Sequence, residues 1–108
     1  MTLNKIESTE VITPEELKEA IKEGESLVII DVRQPEQYQV GHLPGAVNIP
    51  LINLVDRLSE FDPEKDFIIT YCNGGNSGDL ARKFLLSEGF NSVRNLSGGY
   101  KNWTGQGK

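Results

Sequence analysis

The sequence holds a single cysteine, Cys72, and a single histidine, His42, and these two scarcities narrow its chemistry first. One cysteine cannot close an intrachain disulfide, and one cysteine with one histidine gives too few soft ligands for a structural zinc site. A metal-free protein is expected. Long apolar runs are also missing, and no stretch approaches the length needed to cross a bilayer. Met1 to Glu10 carries charges without an apolar core, so neither a secretory signal nor a membrane anchor is expected there, and the cytoplasm is the expected compartment. Basic charge is in deficit: 11 Lys and Arg against 16 Asp and Glu leave a net charge of −5, which disfavours nucleic acid or an anionic membrane as a partner. What remains is ordinary globular material. Hydrophobic residues make up 37% of the 108 residues, enough for one core but not for two, so a single domain is expected, with its core at about residues 10 to 104 and flexible ends.

Along the chain, helix and strand signals alternate. Glu10-Val11-Ile12 reads as a short strand. Thr13-Pro14-Glu15-Glu16 then places a threonine cap, a proline at the first helical position and a glutamate at the third, with Leu17, Ala20 and Ile21 as an apolar stripe and Gly24 as the stop. Leu27 to Ile30 lacks polar alternation and reads as a strand covered on both faces. Asp31-Val32-Arg33-Gln34-Pro35 ends it, Glu36 to Val40 forms a helical turn, and Gly41 to Gly45 a compact loop. Ala46 to Ile49 is a short extended run, Pro50 ends it, and a helix follows on which Leu51, Leu54, Val55 and Leu58 share a face. Phe67 to Tyr71 is a second convincing strand. A helix with Leu80, Ala81, Phe84 and Leu85 closes near Gly89, Ser92 to Leu96 is the last strand, and Ser97-Gly98-Gly99 leads to Tyr100 and Trp103, which are read as closing the core. Such alternation predicts an α/β fold, a parallel sheet with helices on both faces, which binds ligands outside the carboxyl ends of its strands. Asp31 and Cys72 both follow strongly predicted strands and so belong to one edge.

The sharpest local signal is strand, cysteine, glycine-rich turn, helix: Cys72-Asn73-Gly74-Gly75-Asn76-Ser77-Gly78-Asp79. Gly74 and Gly75 can turn successive amides inward, and the unpaired amides of the following helix point the same way, forming a nest that stabilises negative charge on an anion or on the sulfur. A buried core cysteine beside a turn is the plainer alternative. With Asn76 as the helix cap, Asp79 falls at the third helical position in a variant capping box; capping without catalysis stands beside a site role for Asn76 and Ser77 as an equal alternative, and Asp79 repels an anionic substrate only if it faces the thiol. Asp31 and Arg33 are read as rim or support residues, Arg33 pairing with Asp31 or Glu36. His42, in a tight Gly/Pro setting, suits a structural hydrogen bond better than a Cys-His nucleophile pair.

Taken in order, Asp31-Val32-Arg33 with Glu36 and Tyr38, Gly41-His42-Leu43-Pro44-Gly45-Ala46, Cys72 with Gly75, Gly89-Phe90, and Leu96-Ser97-Gly98-Gly99 with Trp103 resemble a single-domain rhodanese, or thiosulfate sulfurtransferase. The resemblance runs from Val11 to Trp103. It implies a rhodanese-like central parallel sheet flanked by helices on both faces, no metal and no organic cofactor. It also implies a Cys72 that accepts a sulfane sulfur from thiosulfate or another donor and passes it to a thiol, to cyanide or to a protein partner. Asn73, Gly74, Gly75, Asn76, Ser77 and Gly78 form the substrate loop on this reading. Many members carry arginine where Ser77 stands here, and some small ones end the loop in Gly-Asn-Ser, as Gly75-Asn76-Ser77 does; the departure points to neutral donors and backbone amides. Cysteine phosphatases are a weaker likeness, since the arginine that clamps phosphate is missing. A noncatalytic rhodanese-like interaction or sulfur-sensing module is the alternative function.

Overall fold

A computed structural model describes residues 10–105; the expectations for the charged first residues and for flexible ends fall on residues 1–9 and 106–108, outside the described residues. Five strands run in parallel: β1 (Val11–Ile12), β2 (Val28–Asp31), β3 (Val47–Asn48), β4 (Ile68–Tyr71) and β5 (Val93–Leu96), in the spatial order β1-β5-β4-β2-β3. The helices are α1 (Pro14–Lys22), α2 (Pro35–Val40), α3 (Asn76–Ser87) and α4 (Gly99–Trp103), with a 3-10 helical segment at Leu51–Glu60. Among the described residues no helix is long and apolar enough to cross a membrane.

Both faces of the sheet are covered because side chains alternate across a strand. In β2, Ile30 joins one apolar layer and Ile29 the other; in β4, Ile68 and Ile69 divide the same way. One layer packs Leu54, Ala81 and Leu85 from the 3-10 segment and α3. The other packs Leu17 from α1 together with Tyr100 and Trp103 from the α4 end, so these aromatics close the core as expected. Each fully buried aliphatic side chain contributes roughly 1.5–3 kcal/mol. The start of α1 follows its sequence signal. Thr13 Oγ1 accepts from the Glu16 amide at 3.1 Å, and Glu16 Oε1 accepts from the Thr13 amide at 2.9 Å.

Two local expectations need correction. The helix after Pro50 winds as a 3-10 segment, whose period near three residues keeps Leu51 and Leu54 toward the core but turns Val55 outward, to 57% exposure. The cap of α3 is Gly75, not Asn76. Gly75 takes φ +117°, and no side chain caps the helix, which puts Asp79 one position beyond a capping box. Its carboxylate turns instead to Arg82 Nε at 2.9 Å and Lys83 Nζ at 3.3 Å, and the Arg82 hydrogen bond, opposed by burial and reinforced by Lys83, holds it below its ordinary value.

The functional edge is organised by one buried carboxylate. Asp31 is fully buried, and β2 pairs it with Tyr71 at the end of β4. Its Oδ1 accepts from the Arg33 amide at 2.9 Å and from Arg33 Nε at 3.0 Å; its Oδ2 accepts from Arg33 Nη2 and from the Tyr71 hydroxyl, each at 2.7 Å. Arg33 thus pairs with Asp31 rather than Glu36. Arg33 Nη2 also donates to the Gly41 carbonyl at 2.7 Å, and the Tyr71 oxygen accepts from the Leu43 amide at 3.1 Å. Burial works against the Arg33 charge, yet the hydrogen bonds and field of Asp31 outweigh it and hold the guanidinium above its ordinary value. Burial pushes the Tyr71 phenol up strongly, with the Asp31 carboxylate adding to it and the Leu43 amide opposing it.

Helix α4 braces the same edge from the other side. The Tyr100 amide donates to the Cys72 carbonyl at 2.8 Å and the Lys101 amide to the Asn73 carbonyl at 3.0 Å. This close approach requires glycine at residue 99, where φ is +66° and a Cβ would lie 2.6 Å from the Cys72 oxygen and 2.5 Å from the Asn73 oxygen.

Two expected outcomes follow from this edge, both read by denaturant unfolding. Asp31→Asn strips the charge that balances buried Arg33 and is expected to cost about 3 kcal/mol or more, with Asp31→Asn combined with Arg33→Met costing less than Asp31→Asn alone; a loss below about 1 kcal/mol would remove the carboxylate from its organising role. Gly99→Ala combines a left-handed backbone with a collision and is expected to cost about 3 kcal/mol, whereas Gly24→Ala, at φ +77° in open space, is expected to cost about 1 kcal/mol. Equal losses at the two glycines would show that the approach of α4 to the Cys72 loop is not tight.

Candidate active site

Cys72 stands directly after β4, the central strand, where the chain leaves the sheet. Alternation sends Tyr71 to one face and Cys72 to the other. The thiol is 7% exposed and lies at the base of a cleft of about 290 Å³. One wall is the loop after β4, with Asn73, Gly74, Asn76 and Ser77; the other is the segment after β2, with Val32, Arg33, Gln34 and Gln37. The two segments meet because β2 and β4 are neighbours whose connections depart in opposite directions, β2 toward β3 and β4 toward β5, which opens a crevice at their carboxyl ends.

The loop is held to the surrounding fold by its carbonyls. Besides the α4 bonds to Cys72 and Asn73, the Gly75 carbonyl accepts from the Asp79 amide at 3.0 Å and from Asn95 Nδ2 at 3.1 Å. The Gly75 amide donates to Cys72 Sγ at 3.0 Å. Among the described residues, no backbone acceptor meets the amides of Asn73, Gly74, Asn76 or Ser77. The left-handed φ of Gly75 turns the chain into α3, a conformation that side chains with a Cβ adopt at a cost of roughly 1–2 kcal/mol. Amides at a helix start carry partial positive charge, so the cleft can stabilise negative charge on a sulfur without any ionised side chain.

The sequence-predicted residues divide accordingly. Cys72, Asn73, Gly74, Asn76 and Ser77 come together in the cleft, and Gly75 contacts the sulfur from beside it. Gly78 does not reach the cleft: a Cβ there would lie 2.3 Å from Asn95 Oδ1 and 3.1 Å from Tyr71 Cα, and its carbonyl accepts from Thr70 Oγ1 at 2.8 Å. It is a close-packing glycine between α3 and the sheet. Arg33 lines the cleft, but Asp31 engages its guanidinium, and Asp31 itself stays behind the rim. His42 is not part of the cleft lining. Its Nδ1 lies 2.8 Å from the Tyr38 carbonyl and its ring stacks on Tyr38, centroids 3.8 Å apart at 8°, a structural placement.

Sequence reasoning missed Gln34 and Gln37, which supply the facing wall. Only the adjacency of β2 and β4 could have pointed to them. It also missed Asn95, whose Nδ2 holds the Gly75 carbonyl while its buried Oδ1 meets no donor among the described residues; that oxygen packs so closely on Gly78 that a Cβ there would lie 2.3 Å from it. A polar residue inside a strand that ends in Leu96 was the available signal.

The profile of the family described as "Rhodanese-like domain" matches residues 13–106. The protein YrkF of Bacillus subtilis is 37% identical over 95 residues, covering 88% of this chain and 51% of that one, so the chain spans about half of that relative's length. Thiosulfate sulfurtransferase GlpE of Pseudomonas syringae is 31% identical over 90 residues, covering 83% of both chains. Among solved structures, the rhodanese-like domain protein of Staphylococcus aureus superposes with a TM-score of 0.81 at 30% identity, covering 87% of this chain and 90% of that one. With the fold, the strand-cysteine-loop-helix cleft and these likenesses agreeing, the chain belongs to the rhodanese-like domain family.

Proposed function

We propose that this domain is a sulfurtransferase that carries a sulfane sulfur as a persulfide on Cys72. The observation that carries the reading is the Gly75 amide aimed at Cys72 Sγ at 3.0 Å, on a nearly buried cysteine that still lines the cleft. The Cys72 thiolate attacks the outer sulfur of a donor such as thiosulfate; a Sγ–S bond forms, the donor S–S bond breaks, and sulfite leaves with the bonding pair. The loop amides stabilise the negative charge that moves onto the transferring sulfurs. An acceptor nucleophile, a thiol or cyanide, then attacks the outer sulfur and returns Cys72 to the thiolate. A separate protein base is not needed where each nucleophile attacks as its anion, and His42, held against Tyr38, supplies none. The likeness to a thiosulfate sulfurtransferase over 83% of both chains supports the same reaction class.

Sulfur loading tests the reading directly. Treatment with thiosulfate or an inorganic polysulfide is expected to add one sulfur to Cys72, seen as an intact-mass increase that reductant reverses. Cys72→Ser is expected to stay folded by circular dichroism and to take up none. No loading from either donor by folded protein would leave a binding module as the better reading.

The donor preference has its own test at residue 77. Ser77 offers the cleft only a neutral hydroxyl, and Asp79, which might have captured an introduced cation, is already engaged by Arg82 and Lys83. Ser77→Arg is therefore expected to lower the KM for thiosulfate roughly tenfold at low salt, the equivalent of a charge-assisted hydrogen bond of about 1.5 kcal/mol, with the gain shrinking as salt rises. Ser77→Gln is the control. Equal kinetics for folded S77R and S77Q would show that residue 77 does not face the donor.

A further inference from the structure

A second groove, of about 450 Å³, opens beside the cleft between α2 and α4. Arg33, Gln37 and Asn73 line both, so the groove and the cleft are continuous. Its floor is apolar: Tyr100 lies across Gly41, where a Cβ would collide with the phenol oxygen at 2.5 Å. Beside it stands Val40, 93% exposed, on a helix that buries none of its residues. Two residues of opposite charge line the groove from the two helices, Glu36 from α2 and Lys101 from α4. Neither takes part in any ion pair among the described residues. The cleft, by contrast, offers no uncommitted charge.

We infer that this groove is the acceptor subsite and that it selects a low-molecular-weight zwitterionic thiol, cysteine or a short cysteine peptide. The inference rests on the persulfide reading above. Lys101 meets the carboxylate, Glu36 the ammonium, and the aliphatic body lies over Val40 and Tyr100, which points the sulfur past Asn73 into the cleft. The volume suits a ligand of that size. The transfer balances without a further reagent. The acceptor thiolate attacks the outer sulfur of the Cys72 persulfide, a new S–S bond forms, and the Sγ–S bond breaks with its electron pair on Sγ. The outer sulfur leaves on the acceptor as its persulfide, in the protonation state it had on Cys72.

The test uses the whole chain, loaded with sulfur from inorganic polysulfide, whose small size makes loading independent of the groove. Discharge is then followed by single-turnover kinetics with glutathione, 2-mercaptoethanol and cyanide. Lys101→Glu is expected to raise the concentration of glutathione needed for half-maximal discharge about fivefold, the size of an exposed charge pair, and Lys101→Gln to have a smaller effect of the same sign. 2-Mercaptoethanol and cyanide, which carry no carboxylate, are expected to discharge all three proteins alike. Loss with all three acceptors, or with none, would overturn the subsite. Slower discharge by the thiols of a reduced protein, with glutathione unaffected, would assign the groove to a protein partner and overturn it equally. Failure to load would instead remove the persulfide reading itself, and the subsite with it.

Discussion

The carboxylate of Asp31 is the constraint on which the functional edge depends. A charge withdrawn this completely from water is stable only when donors saturate it, and the two residues that do so, Arg33 and Tyr71, tie different parts of the rim together. Arg33 brings in the segment after β2 and, through Gly41, the loop that follows α2. Tyr71 brings in the end of β4 and, through its oxygen, Leu43. Asn48 Nδ2 donates to the main-chain oxygens of Asp31 and Arg33, at 3.0 Å each, and ties in β3. An apolar substitute could fill the same volume with comparable stability, but it would not fix the directions in which these segments leave the sheet.

That arrangement also decides the electrostatics of the cleft. Arg33 is the one cation in the lining, and Asp31 neutralises it, so the thiol faces amides, side-chain carboxamides and a hydroxyl. In a chain of net charge −5, a site without free cations gains little from long-range attraction of anions. Selectivity then falls to short-range hydrogen bonding and to whatever binds beside the cleft, which is why the unpaired Glu36 and Lys101 stand out from an otherwise neutral surface around the thiol.

Much of this was legible in the sequence where the signals are local. Thr13, Pro14 and Glu16 specify a helix start through contacts within four residues, and the unbroken apolar runs before Asp31 and Cys72 specify buried parallel strands. The resemblance carried by Asp31, Arg33, Cys72 and Gly75 supplied the fold. Legibility failed where several residues compete or where topology decides. Asn76 and Ser77 are adjacent cap candidates, and the left-handed backbone of Gly75, whose carbonyl Asn95 holds from β5, starts the helix ahead of both. Leu51, Leu54 and Val55 share a face at a 3.6-residue period, and nothing local announces the tighter 3-10 winding that turns Val55 outward. Tyr71 reads as a core strand residue because nothing local shows that its hydroxyl meets Asp31, 40 positions away.

The way the Cys72 loop is suspended bears on how such a site can diversify. Among the described residues its attachments to the surrounding fold run through main-chain oxygens: Cys72 to α4, Asn73 to α4, Gly75 to α3 and Asn95. The side chains of Asn73, Asn76 and Ser77 carry none of that suspension, and Gly75 alone is fixed by its backbone angle. The lining is therefore an interchangeable face on a fixed frame, where chemical preference can drift from one sulfur donor to another through single replacements while the hinge of the loop and the position of the nucleophile stay where they are.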